Sequence, residues 1–197
     1  MTKGRMEAFS DGVIAILITV MVLELKTPHG TGLEAFKEPS ITLAAYAVSF
    51  IYLGIYWNNH HHMLHAVKHV NGASLWANHH LLFWLSLVPF MTKWVGETGF
   101  APVPVALYSA NLMLAGISYY ILAQCLARAN ADDSEFADAL GKDVKGKVSV
   151  LIYAIGVGLA FVKPAISCAL IVLVALMWLI PDTRFMRAKM GGSSADH

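Results

Sequence analysis

The chain has 197 residues, of which 57% are hydrophobic and only 14% charged, with a mean hydropathy of +0.58 and a formal net charge of +1. Soluble domains carry about a quarter charged residues, and a globule of this size has too little interior to hide so much apolar surface. The composition excludes a soluble domain and points to a bilayer, while the net charge offers no electrostatic case for nucleic acid.

Six apolar segments follow one another at 6–25, 41–60, 74–92, 103–126, 148–162 and 165–180. Each is of the length that a helix needs to cross a bilayer, or close to it. Period-two alternation is weak throughout, so the expected class is all-α, a polytopic membrane protein with six transmembrane helices, rather than a β-barrel. The last two segments, VSVLIYAIGVGLAFV and AISCALIVLVALMWLI, are separated only by Lys163–Pro164. One helix through both would be about 50 Å long, too long for a hydrocarbon core of about 30 Å. Proline stops or bends a helix at that point, so two short spans joined by a tight turn are predicted. No cleavable signal is expected, because Asp11 interrupts the first segment and no small-residue processing site follows it.

Charge fits the count of six. With the N-terminus inside, the cytoplasmic segments hold Lys3, Arg5, Lys68, Arg128, Lys142, Lys145, Lys147, Arg184, Arg187 and Lys189, leaving only Lys26, Lys37, Lys93 and Lys163 outside. Five spans would place Arg184, Arg187 and Lys189 outside, against the positive-inside tendency. Both termini are therefore expected in the cytoplasm, with the chain multi-pass in the inner (plasma) membrane. Residues 1–185 form the predicted six-helix domain and 186–197 a short polar tail. The polar 127–147 segment reads as a solvated linker. Cys125 and Cys168 lie in apolar runs without ligand spacing and read as small buried hydrophobes.

The first segment, RMEAFSDGVIAILITVMVLELK, carries more polar residues than a lipid anchor needs. A carboxylate inside a span is expensive and is ordinarily paired or turned toward protein, which singles out Asp11. Arg5 could reach Asp11 within the helix, or either could pair with a neighbouring helix or subunit. Alternatively, Arg5 and Glu7 are interfacial charges and Ser10–Asp11 an N-cap that starts the span late. Farther along, Ile16, Val20 and Leu23 fall on one stripe at intervals of four and three. Thr19 lies close to that stripe, where its hydroxyl is either presented or bonded to a carbonyl three or four residues back. Such a stripe serves helix packing, or a pore if several copies surround an axis.

Arg5, Phe9, Ser10 and Asp11 spell RxxxFSD, followed by Val13, Ala15–Ile16 and Thr19. With WNNHH at 57–61 and PFMT at 89–92, this pattern resembles the potassium channels of endosomes and lysosomes, more closely their bacterial counterparts. The similarity is colinear over roughly residues 3–185. It implies a channel without a TVGYG filter or pore loop, assembled as a homotetramer with helix 1 of each subunit lining a central pore. The resemblance further implies that Ile16 forms the narrowest apolar ring, with Val20 and Leu23 as further rings, and that Thr19 and Ile16 bear on potassium preference. Arg5, Phe9, Ser10, Asp11 and His60 match a network that fixes the cytoplasmic end of helix 1. Glu24, just past Leu23, is placed to concentrate cations at an outer mouth. No cofactor is implied; the permeant species is K⁺ among the monovalent cations, and the partners are further copies of the chain and the lipid bilayer.

Seven of the nine histidines lie between residues 60 and 80. His61, His65 and His69 fall at i, i+4 and i+8, one face of a continuous helix, and imidazole suits iron and zinc. A histidine-box membrane metalloenzyme, akin to a desaturase or hydroxylase, is the first alternative. It requires about eight ligands in several boxes, and this chain offers one hairpin. A polar cytoplasmic hairpin and a pH-sensing cluster are the other readings of these residues. The five tryptophans lie mostly near span ends, as interfacial anchors do. A secondary cation transporter is the last alternative, but no midplane charges in paired, broken helices are evident.

Overall fold

The computed structural model describes residues 2–131 and 143–179. Arg184, Arg187, Lys189, the 186–197 tail and the middle of the 127–147 segment lie outside the described residues. The chain is all-α: α1 (Lys3–Leu23), α2 (Lys37–Ala66), α3 (Gly72–Ser86), α4 (Val88–Glu97), α5 (Pro102–Ala129), α6 (Val144–Val162) and α7 (Pro164–Leu179), with a short 3₁₀ turn at Leu33–Phe36 before α2. Helices α1, α2, α5 and α6 are each long and apolar enough to cross a membrane, and α7 is a shorter apolar helix.

The expected segments reappear with two adjustments. Helices α1, α2 and α6 extend beyond their apolar cores, because a helix keeps making its own hydrogen bonds into the interface while hydropathy reports only the hydrocarbon depth. The third segment is two helices rather than one. Pro89, near the start of α4, has no N–H to give the carbonyl four residues back, and the ladder breaks around Leu87. Asn111 of α5 compensates: its side-chain amide donates to the Trp84 carbonyl at 3.1 Å, just before the break. The Trp84 carbonyl also accepts from the Leu87 amide, so Asn111 adds a second donor where the helical ladder ends. Lys163 and Pro164 do separate α6 from α7, with Lys163 as the C-cap and Pro164 opening the next helix.

Helix α5 runs through the middle of the bundle, burying Val105, Tyr108, Leu112, Ala115, Leu122 and Leu126. It packs most extensively on α6 and α3, and α6 pairs with α7. Gly156 permits the close α5–α6 approach: a Cβ there would stand 2.7 Å from Ser109 Oγ. At the opposite side of the bundle, α1 packs against α2, α3 and α4. Gly96 brings α4 equally close to α2, where a Cβ would lie 2.8 Å from the Thr42 backbone. The connection between α2 and α3 is pinned by Asn130, whose side chain accepts from the Lys68 and His69 amides and donates to the His69 carbonyl.

Candidate functional site

Helix α1 has two unlike faces. Met6, Ser10, Ile14, Leu17 and Met21, spaced by four, four, three and four, are buried against α2, α3 and α4. The opposite face has no cover within the chain: Ile16 is 60% exposed, Val20 39% and Leu23 82%. Gly12, Ala15 and Thr19 are exposed with them. The stripe read from the sequence is thus the free face rather than the packing face. The Thr19 hydroxyl donates to the Ile16 carbonyl at 2.9 Å, so its hydrogen is held by the helix while its oxygen remains open as an acceptor.

At its start, α1 is held by polar contacts. The helix begins at Lys3 with Thr2 as N-cap, so Ser10 and Asp11 sit within it and are not a late cap. Ser10 donates to the Met6 carbonyl at 2.8 Å and accepts from the Asn78 side-chain amide at 2.9 Å. Asn78 then uses its oxygen to meet His60 Nε2 at 2.8 Å. Because the Asn78 nitrogen is committed to Ser10, its oxygen is the acceptor, and His60 carries its proton on Nε2. Ser10, Asn78 and His60 are all buried, and His60 Nδ1 has no hydrogen-bond partner.

Other contacts flank this chain. Trp57 Nε1 donates to Asp11 Oδ1 at 3.0 Å, and His61 Nδ1 lies 3.1 Å from Glu7 Oε1. The Phe9 ring stacks on His79 with centroids 5.5 Å apart. Lys3 reaches across to the last carbonyls of α2, donating to Val67 at 2.8 Å. Within the chain, Ser10 and His60 are joined through Asn78, Asp11 through Trp57 and Phe9 through His79. Among the described residues, no hydrogen bond or ion pair joins Arg5 to Asp11. A separation of six residues turns the helix by about 240°, which puts the two on different faces.

Sequence reasoning missed Asn78, hidden inside ANHH and read only as part of a histidine cluster. It also took Trp57 for an interfacial anchor, whereas its indole donates to the Asp11 carboxylate of α1. Helix α2 ends at Ala66, so His69 lies in the following connection and does not continue the face of His61 and His65. His61 is instead engaged by Glu7 and stacked between Trp57 and His65. Among the described residues, no group of three His, Cys, Asp or Glu side chains is arranged to hold a metal ion.

At the other end of α1, Glu24 is not an isolated charge at a mouth. Lys93 of α4 donates to its carboxylate, and Lys26 pairs with Glu97 at 2.8 Å. Within the chain Glu24 is thus one half of an exposed ion pair rather than an isolated carboxylate. The threonine of PFMT, Thr92, is buried one turn into α4 and lies 3.9 Å from Met21 Sδ on the packed face of α1.

A bundle of helices long and apolar enough to cross a membrane, one of which leaves an apolar face uncovered, defines a polytopic membrane protein. The family model for the endosomal/lysosomal potassium channel TMEM175 matches residues 5–89. A potassium channel of Chryseobacterium sp. (strain P1-3) is 48% identical over 95% of this chain and 98% of its own length. A potassium channel of Streptomyces collinus is 32% identical over 89% of this chain and 91% of its own. The crystal structure of a lysosomal potassium-selective channel TMEM175 homolog from Chamaesiphon minutus superposes with a TM-score of 0.76 at 27% identity, covering 90% of this chain and 96% of that one. The chain belongs to the TMEM175 potassium-channel family.

Proposed function

We propose that the chain is a potassium-permeable channel that carries K⁺ passively through a homotetrameric pore lined by α1. The reading is carried by one observation: α1 buries its Met6–Met21 face and leaves the apolar stripe of Ile16, Val20 and Leu23 uncovered. Copies of that stripe around an axis would form successive apolar rings. Ile16 makes the narrowest ring, Val20 and Leu23 the rings toward the outer side, and Thr19 presents its oxygen between them. Gly12 and Ala15, small and on the uncovered side, allow neighbouring copies of α1 to approach.

An apolar ring controls ions by controlling water. When the constriction is narrow, water leaves it, and an ion that enters loses hydration without compensation. A small displacement of the rings rewets the path. Few polar ligands replace the hydration shell, so the preference for K⁺ over Na⁺ is modest. The buried Ser10–Asn78–His60 chain and the Asp11–Trp57 bond hold the cytoplasmic half of each α1 while the rings adjust. Both termini face the cytoplasm, in the plasma membrane of the cell. No cofactor enters this mechanism.

The test is purified protein in liposomes under opposed K⁺ and Na⁺ gradients. The expected result is a current without ATP or a coupled ion, reversing on the K⁺ side of zero, from an assembly whose mass in detergent is that of four chains. Strict one-for-one coupling to a second ion would make the protein a transporter. A stable monomer that still conducts would remove the shared pore.

A further inference from the structure

Helix α4 is a ten-residue helix set apart from α3 by the break at Leu87, and it stands directly behind the outer half of α1. Its Thr92 meets two other helices through hydroxyl groups. Thr92 Oγ1 lies 2.6 Å from Ser49 Oγ of α2, and Ser49 Oγ lies 2.7 Å from the Tyr108 hydroxyl of α5. Ser49 also bonds the Ala45 carbonyl at 2.8 Å, and Thr92 the Val88 carbonyl at 2.7 Å. One proton assignment satisfies the group: Tyr108 donates to Ser49, Ser49 to Ala45, and Thr92 shares its hydrogen between Val88 and Ser49. All three side chains are buried.

Hydroxyls buried at membrane depth are costly unless paired, and residues that only filled space would be cheaper as Val, Ala and Phe. The chain also ends against something specific, since the Thr92 hydroxyl faces Met21 Sδ at 3.9 Å. Met21 is the last buried residue of α1 and the immediate neighbour of Val20. A short helix with a break at its base has no seat of its own. Hydroxyl contacts to α2 and α5 define one.

We propose that Thr92, Ser49 and Tyr108 are positioning residues, a hydroxyl strut that seats α4 behind Met21 and thereby sets the pore radius at Val20 and Leu23, and with it the preference for K⁺ over Na⁺. This rests on the reading that α1 lines the ion path. The strut touches neither ion nor pore. It acts through Met21, and a small shift there matters because wetting of an apolar ring is a steep function of its width.

The experiment compares Thr92→Val, which keeps the shape and removes the hydroxyl, with Thr92→Ser, which keeps the hydroxyl, and with Tyr108→Phe. Each is reconstituted after its assembly state is checked, and reversal potentials are measured under a K⁺/Na⁺ gradient. Thr92→Val and Tyr108→Phe are expected to change the permeability ratio by about fivefold, the weight of one buried hydrogen bond, while Thr92→Ser retains the wild-type ratio. A purely structural role would lower yield or thermal midpoint and leave the ratio of the assembled protein alone. Wild-type ratios in Thr92→Val and Tyr108→Phe overturn the strut, as does a Thr92→Ser shift equal to that of Thr92→Val. Should Thr92→Val fail to assemble, Tyr108→Phe alone decides. In the same liposomes, Val20→Cys is treated with a water-soluble thiol reagent beside a wild-type control. Current that persists in the cysteine variant removes α1 from the ion path, a different failure from that of the strut.

Discussion

The two ends of α1 are secured by different physics. At the N-terminal end, five polar or aromatic contacts converge within three turns: Lys3 on the end of α2, Glu7 on His61, Phe9 on His79, Ser10 on Asn78 and Asp11 on Trp57. At the C-terminal end, the same helix is held by the packing of Leu17 and Met21 and by the exposed Glu24–Lys93 pair. Directional hydrogen bonds fix orientation, most firmly at the buried Ser10–Asn78 pair, whereas apolar packing tolerates small slides and rotations. One end is therefore an anchor and the other an adjustable segment, which suits the proposed pore-lining role of this helix.

The largest effect that would break this comparison is at Asn78. Asn78→Leu leaves the buried His60 ring without a hydrogen-bond partner and Ser10 with only its bond to the Met6 carbonyl, a loss of about 1–3 kcal/mol. A fall in assembled protein and in thermal midpoint is expected; an unchanged midpoint would mean that the anchor is not in this chain of bonds. Ile16→Asn tests the free face. It should raise single-channel conductance and lower the K⁺/Na⁺ permeability ratio, because an amide ring keeps water in the constriction. Unchanged current and reversal potential in a properly assembled variant would return α1 to the role of a packing helix.

Trp57→Phe sharpens the comparison at lower cost. It keeps an aromatic ring but removes the donor to Asp11, an exposed hydrogen bond, at about 0.5–1.5 kcal/mol. Altered open probability with a wild-type permeability ratio is expected, read from single-channel records. Lys93→Ala is the smallest change. A solvent-exposed ion pair contributes little, so the thermal midpoint and permeability ratio should stay within error of wild type. A marked loss of K⁺ preference would show that the C-terminal end of α1 is anchored electrostatically after all.

Much of the bundle was legible without coordinates. Hydropathy marks the spans, because each must match the same hydrocarbon thickness. Lys163–Pro164 separates α6 from α7, because a proline's missing N–H acts on its own helix. The spacing of Ile16, Val20 and Leu23 places them on one stripe, because helical periodicity is local. Pro89 also carried the α3–α4 break, although the apolar run through it hid the signal. Periodicity could not say whether the stripe was the buried or the free face of α1, since Ile14, Leu17 and Met21 form an equally apolar stripe on the other side.

What only the tertiary structure decided are pairings between residues far apart in the chain. Ser10 meets Asn78 across 68 residues, Asp11 meets Trp57 across 46, and Glu24 meets Lys93 across 69. Asn111 reaches the break before α4, and Thr92 finds Ser49 and Tyr108. A side chain's hydrogen-bond partner depends on which helices lie adjacent and how each is rotated, and no local pattern of residues encodes that rotation. The sequence by itself determined which segments are apolar enough to cross a membrane and which residues share a helical face; the packing of α1 against α2, α3 and α4 decided which face of that helix was left uncovered.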